Sequence, residues 1–207
     1  MKPPTVTFFG SAAAPEQFPR DGLPEVAFLG RSNVGKSSLL NALARTKGLA
    51  KVSSTPGRTR LVNFFRVAGP GSDLYFVDLP GYGYAKVRAE ERQGFERLVT
   101  SYLVDRAPLA LCLFLVDVRH EPMPGDLILE AFLGENDLPF AVALMKADKL
   151  KRGEVVRAQR SLEKGLAHRA RAVVPVSAVT RDGIDDLWSL IRAAVNGSTH
   201  EVLQDGH

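Results

Sequence analysis

A three-layer α/β fold is predicted: a mostly parallel six-stranded sheet with one antiparallel strand and helices on both faces. Three observations carry this expectation. Apolar runs that suit strands occur at 25–30, 61–69, 73–80, 109–118, 139–145 and 172–177. Amphipathic stretches separate most of them, and apolar strands alternating with helices indicate a parallel sheet covered on both faces. The second and third runs are joined only by "GPGS", too short for a crossover, so that pair is expected to be antiparallel.

The elements follow in order. The opening "MKPPTVTFFGSAAAPEQFPRDG" has one lysine before Pro3-Pro4 and no continuous apolar region, which argues against a signal peptide. Residues 1–22 are expected to form a loose arm, 23–196 the main domain and 197–207 a flexible tail. No apolar run reaches the roughly 18 residues of a membrane span, so a cytoplasmic protein, and a monomer, is expected. "KSSLLNALART" (36–46) reads as a helix. The stretch 88–106 is helical, with Phe95, Leu98, Val99, Tyr102 and Leu103 on one side. Further helices are expected near 124–134, 153–167 and 183–195, with Asp182 as a cap for the last. Cys112 and Trp188 read as core. With 207 residues, 45% of them hydrophobic, the chain is long enough for a sizeable core. The right-handed crossover rule places the strand C-termini along one edge, where ligands bind in such sheets. Loops there start near 30, 78, 118, 145 and 177.

At the first of these loops, "GRSNVGKS" (30–37) fits G-x-x-x-x-G-K-[ST] between a strand and a helix. Glycines let main-chain N–H groups converge on phosphate oxygens, and the helix N-terminus adds its dipole. Lys36 supplies a point charge to the β- and γ-phosphates, and the Ser37 hydroxyl is a Mg²⁺ ligand. This loop alone does not choose between adenine and guanine. "DLPG" (78–81) ends a strand, where Asp78 can hold Mg²⁺ through water and the Gly81 N–H can meet a γ-phosphate. "KAD" (146–148) follows the next apolar strand but one. A carboxylate there accepts from guanine N1–H and the 2-amino group together, a donor pair that adenine lacks. Lys146 can lie over the base, and the Ala178 N–H of "VSA" (176–178) can meet guanine O6. Between these motifs, Thr55 or Thr59 can complete the Mg²⁺ shell; Thr59, next to a strand, is preferred.

Together these spacings resemble the translation-factor-like P-loop GTPases. "GRSNVGKSSLLNAL", "SSTPGRTRLVNFF", "FVDLPGYGYAKV", "VDVRHEP" and "KADKL" more specifically resemble the EngB (YihA/YsxC) family of bacterial GTPases, over roughly residues 6–195. The resemblance implies a P-loop GTPase domain that hydrolyses GTP to GDP, acts in large-ribosomal-subunit assembly and is linked to cell division. It implies Mg²⁺ as cofactor, held by Ser37 and Thr59. It places Gly30, Arg31, Ser32, Asn33, Val34, Gly35, Lys36, Ser37 and Ser38 around the phosphates. Gly57, Arg58, Thr59, Arg60, Leu61, Asp78, Leu79, Pro80 and Gly81 form the γ-phosphate-sensing loops. Met145, Lys146, Ala147, Asp148, Val176, Ser177 and Ala178 lie around guanine. Met145 departs from the family, which carries Asn or Thr there; a thioether is not expected to donate to guanine N7 or to brace the phosphate loop.

No catalytic group is named by the sequence. Tyr82 stands where many GTPases have a water-orienting glutamine, so turnover should be slow. Lys36, Arg58, Arg60 and Asn33 remain candidates, the last through a K⁺ ion. From Val26 to Ser72 there is no Asp or Glu, against eight Lys and Arg. This is either a solvated face or a surface for phosphate backbones such as ribosomal RNA. Tyr82 and Tyr84, followed by Lys86 and Arg88, either stack on bases or pack on a neighbouring helix. His120-Glu121 has no assigned chemistry. A division switch without RNA and, less favoured, a small P-loop kinase are the other readings.

Overall fold

The computed structural model describes residues 4–50, 61–69, 73–82, 89–165 and 169–204, without the side chains of 89–96 and 198–204. Strands β1 (Thr5–Ala12), β2 (Glu25–Gly30), β3 (Val62–Ala68), β4 (Leu74–Asp78), β5 (Leu109–Asp117), β6 (Phe140–Met145) and β7 (Val173–Val176) form one sheet. Helices α1 (Lys36–Ala44), α2 (Ala89–Asp105), α3 (Pro124–Glu135), α4 (Arg152–Lys164) and α5 (Ile184–Gln204) cover it. The strand order is β1-β3-β4-β2-β5-β6-β7. Only β3 runs against the rest: β1 and β4 pair with it antiparallel, and every other pairing is parallel.

The sheet has seven strands rather than six. Thr5–Ala12, expected as part of a loose arm, pairs with β3 from Thr5↔Ala68 to Ala12↔Val62, with an irregularity at Phe8/Gly10. The last helix runs to Gln204, well past 195, so the backbone of 197–204 is helical rather than a flexible tail. Asp182 accepts the Thr180 hydroxyl at 2.6 Å, a bond within the loop before α5.

Two apolar layers sandwich the sheet. Along β5, Leu111, Leu113 and Leu115 join the layer under α1 and α5, while Cys112, Phe114 and Val116 join the layer under α2, α3 and α4. This two-residue alternation is what a strand buried on both faces requires. Trp188 packs on Phe76, ring centroids 5.4 Å apart, as its core reading requires. At the N-terminal end of the parallel strands lies a buried charge. The Glu25 carboxylate accepts from Tyr102 Oη (2.8 Å) and from Arg106 Nε (2.9 Å), and forms an ion pair with the second guanidinium nitrogen of Arg106. Among the described residues no helix is long and apolar enough to cross a membrane.

Candidate nucleotide site

The opposite end of the sheet gathers the expected motifs, because parallel strands β2, β4, β5, β6 and β7 all finish there. The loop after β2 is shaped by glycine. Gly35 has φ +115° and Asn33 φ +65°. A Cβ at Gly30 would lie 3.0 Å from Leu115 Cβ and from Val34 Cγ1, tighter than ordinary packing, so a side chain there would push on both neighbours. α1 starts at Lys36 with Gly35 as its N-cap and no side-chain cap. Its first N–H groups are therefore left to a ligand or water. Ser37 and Ser38 sit in that first turn. Lys36 Nζ is ion-paired to the buried Asp78 carboxylate at the end of β4.

Gly81 and Tyr82 lie against this loop. The Ser32 N–H donates to the Tyr82 carbonyl at 3.2 Å, Arg31 and Tyr82 form a parallel bridge, and a Cβ at Gly81 would sit 3.1 Å from Gly30 O. The Tyr82 phenol donates to Asp126 Oδ1 (2.6 Å) on α3, and a Cβ at Gly125 would lie 3.2 Å from its ring. Burial, and then the bond to Asp126, push the phenol pKa well above its ordinary value. Tyr82 is thus packed on the neighbouring helix, and the alternative of an exposed stacking ring does not hold for it. Tyr84, Lys86 and Arg88 fall outside the described residues.

The loop after β6 is tied to the phosphate loop by Lys146. In a left-handed conformation (φ +64°), its Nζ donates to Asn33 O (2.9 Å) and to Asp117 Oδ2 (2.8 Å). Arg119 forks onto the same Asp117 at 2.9 and 2.8 Å. Burial pushes the Asp117 pKa up, but the bonds from Arg119 and Lys146 outweigh it and hold the carboxyl far below its usual range. Sequence reasoning gave Lys146 a place over the base and gave Asp117 and Arg119 no role. The available signals were that Asp117 ends a strand at this edge and that both residues fall within "VDVRHEP", a stretch to which no chemistry was assigned.

Met145 is 1% exposed and belongs to the core, and its Cε is 3.2 Å from where a Gly35 Cβ would be. The thioether packs beneath the phosphate loop as part of the core and makes no hydrogen bond to it, as expected of a thioether.

Asp148 lies in the short turn after Lys146. Its Oδ1 accepts from the Ser177 hydroxyl at 2.8 Å, and Lys149 Nζ lies 3.1 Å from its Oδ2. The Ser177 bond is the main reason its pKa is lowered. Ser177 is fully buried, and its Oγ accepts the N–H groups of Val179 and Thr180. It therefore orients Asp148 and the "VSA" loop. Val34, Leu79 and Val176 are buried, leaving mainly their backbones for a ligand; Pro80 is buried, and Ala147 and Ala178 are half-buried. Leu61 is exposed, whereas Gly57, Arg58, Thr59 and Arg60 fall outside the described residues. A cavity of about 280 Å³ opens between Arg31–Asn33, the end of β5 and the start of α3; Lys36 and Asp148 do not line it.

The family described as "50S ribosome-binding GTPase" matches residues 25–146. The "Probable GTP-binding protein EngB" of Chlorobaculum tepidum is 49% identical over 187 residues, 90% of this chain and 95% of that protein. This chain belongs to the EngB family of GTP-binding proteins. It is a P-loop GTPase that binds GTP and GDP. A crystal structure of a probable EngB superposes with TM-score 0.65 at 24% identity, covering 84% of this chain and 99% of that one. Era, crystallised with MgGDPNP and nucleotides 1506–1542 of 16S ribosomal RNA, superposes with TM-score 0.71 at 26% identity. That alignment covers 83% of this chain and 56% of Era.

Proposed function

We propose that this EngB-family chain is a slow GTP-hydrolysing switch that acts in the cytoplasm on the assembling large ribosomal subunit, with consequences for cell division. One observation carries the switch: the Lys146 ammonium holds both Asn33 of the phosphate loop and Asp117 at the end of β5, next to the loop that carries Asp148. Base recognition and phosphate binding then act as one unit. The amides of 30–37 cradle the phosphates and Asp148 accepts from guanine. Lys36, paired with Asp78 here, turns to the phosphates when they arrive. The ribosomal target is supported by the family's description and by Era's RNA complex.

Among the described residues no cluster of three or more His, Cys, Asp or Glu could hold a metal alone. Of the two expected ligands, Thr59 lies outside the described residues. The Ser37 hydroxyl at the start of α1 and the Asp78 carboxylate, acting through water, are hard oxygen donors. They fit Mg²⁺, which takes the rest of its shell from phosphate and water. Bound there, it would neutralise the β- and γ-oxygens. A γ-phosphate competes with the Tyr82 carbonyl for the Ser32 N–H, so triphosphate would part Tyr82 from the loop while diphosphate leaves it clasped. Slow turnover follows from a phenol committed to Asp126 where a glutamine would orient water. With Asn33 helping to hold a K⁺ ion that stands in for an arginine, turnover is expected to be faster in K⁺ than in Na⁺ buffer. Equal rates would remove that role.

The test is binding to purified large subunits with a non-hydrolysable GTP analogue against GDP. Binding at least tenfold tighter in the triphosphate state is expected (about 1.4 kcal/mol of coupling). Equal binding, or none, would refute the switch on the ribosome.

A further inference from the structure

Between Lys149 and Lys164 the sequence carries six Lys or Arg and two Glu. The structure sorts them unequally. Glu154 Oε2 accepts the Lys151 N–H at 2.8 Å, closing the N-terminus of α4, and Glu163 accepts the Gln159 amide at 3.0 Å. Both acids are engaged on the helix itself. Arg157, Arg160 and Lys164 are exposed, and among the described residues none of them has an ion-pair or hydrogen-bond partner. At 100° per residue these three fall within about 60° of one another, nearly opposite the buried Leu162. Gln159 fixes this orientation by donating to Val173 O of β7 at 3.1 Å. The result is a single row of cations about 10 Å long, and the exposed Gly153 extends the row without a side chain.

We infer that this α4 ridge is the surface by which the protein grips the phosphate backbone of ribosomal RNA. The inference rests on the proposed ribosomal function and adds where the contact lies. It differs from the acid-free stretch 26–72 that the sequence singled out. There, Lys36 is paired with Asp78, and Arg66 with Asp21 and Asp73. A narrow row of unpaired cations matches a strand of phosphates. A bilayer surface asks for a broad face with apolar residues to insert. On α4 only Val156 is an exposed large hydrophobic. The ridge is also joined to the base loop: Leu150 and Lys151 alone separate the turn Ala147–Lys149 from α4.

The test compares R157Q/R160Q/K164Q with a charge-matched control, R20Q/R45Q/K47Q, in binding to large subunits with a GTP analogue across a salt series. Loss of three phosphate contacts should lower the slope of log K against log salt by about 2–3 and weaken binding tenfold or more. Thermal stability and GTP affinity should stay at wild-type values, and the control should keep most of its binding. An unchanged slope in the ridge variant, or an equal loss in the control, overturns the ridge while leaving ribosome binding intact. Wild-type protein that fails to bind subunits overturns the ribosomal reading itself. Ridge-dependent binding to anionic phosphatidylserine vesicles without subunit binding would overturn RNA in favour of a membrane.

Discussion

Asp148→Asn lowers GTP affinity about a hundredfold or more, roughly 3 kcal/mol, and raises affinity for xanthosine triphosphate. The carboxylate offers two acceptors to the N1–H and 2-amino donors of guanine. Asparagine offers one acceptor and one donor, so its amide meets the 2-amino group donor to donor. Xanthine has a carbonyl at that carbon and restores the match. The Ser177 hydroxyl, which donates to Asp148 at 2.8 Å, can still donate to the asparagine carbonyl, so the loop should hold its shape. Wild-type protein should prefer GTP to ATP by more than tenfold, because adenine presents an acceptor at N1 and no 2-amino group. Titrations with fluorescent GTP, ATP and xanthosine triphosphate would measure all three. A variant that still binds GTP within threefold of wild type would remove Asp148 from base recognition.

Glu25→Ala should destabilise the fold by about 3–5 kcal/mol. The carboxylate is 0% exposed, and the Arg106 guanidinium and Tyr102 hydroxyl close around it. Arg106 is also held by Pro19 O at 2.6 Å and stacks over Phe18, so it cannot swing to water without uncovering that ring. Removing the carboxylate leaves a largely buried cation and a fully buried hydroxyl without an acceptor, which costs more than the pair's net worth. For a chain of this size the midpoint should fall by about 6–20 °C. Glu25→Gln, which keeps one acceptor, should fall between. Nucleotide affinity in the folded variant should be unchanged, since Glu25 lies at the other end of the sheet from Lys36 and Asp148. A loss below about 1 kcal/mol in urea unfolding would contradict this account.

The parallel strands were legible because burial on both faces makes them continuous apolar runs; β5 and β6 need no context to be recognised. The edge strand β1 was not, because only Val6 and Ala12 in Thr5–Ala12 are buried, and the segment lacks an apolar run of core length. The places of the Gly30 to Ser37 loop and of Asp148 in the chain could be read from spacing, since each follows a parallel strand at the same edge of the sheet. Contacts set by register could not. Met145 reaches Gly35 because it ends β6 between Asp117 and Val176, and hydrogen-bonding capacity alone says nothing of that packing. Tyr82 and Asp126 are 44 residues apart and meet only because α3 begins beside the phosphate loop. Ser177 was expected near the base, but its hydroxyl is spent on Asp148 and on its own loop.

The antiparallel seam between β1 and β3 makes Thr5–Ala12 a hem on the sheet rather than a handle. Phe8 packs edge-on against Phe65, and Ser11 donates to Asn63 at 2.6 Å. Cutting this hem would lay bare the main-chain groups of β3 together with Phe65 and Val67, inviting other polypeptides to zip onto the edge. Trimming the amino terminus to simplify the protein would therefore trade a tidy border for clumping.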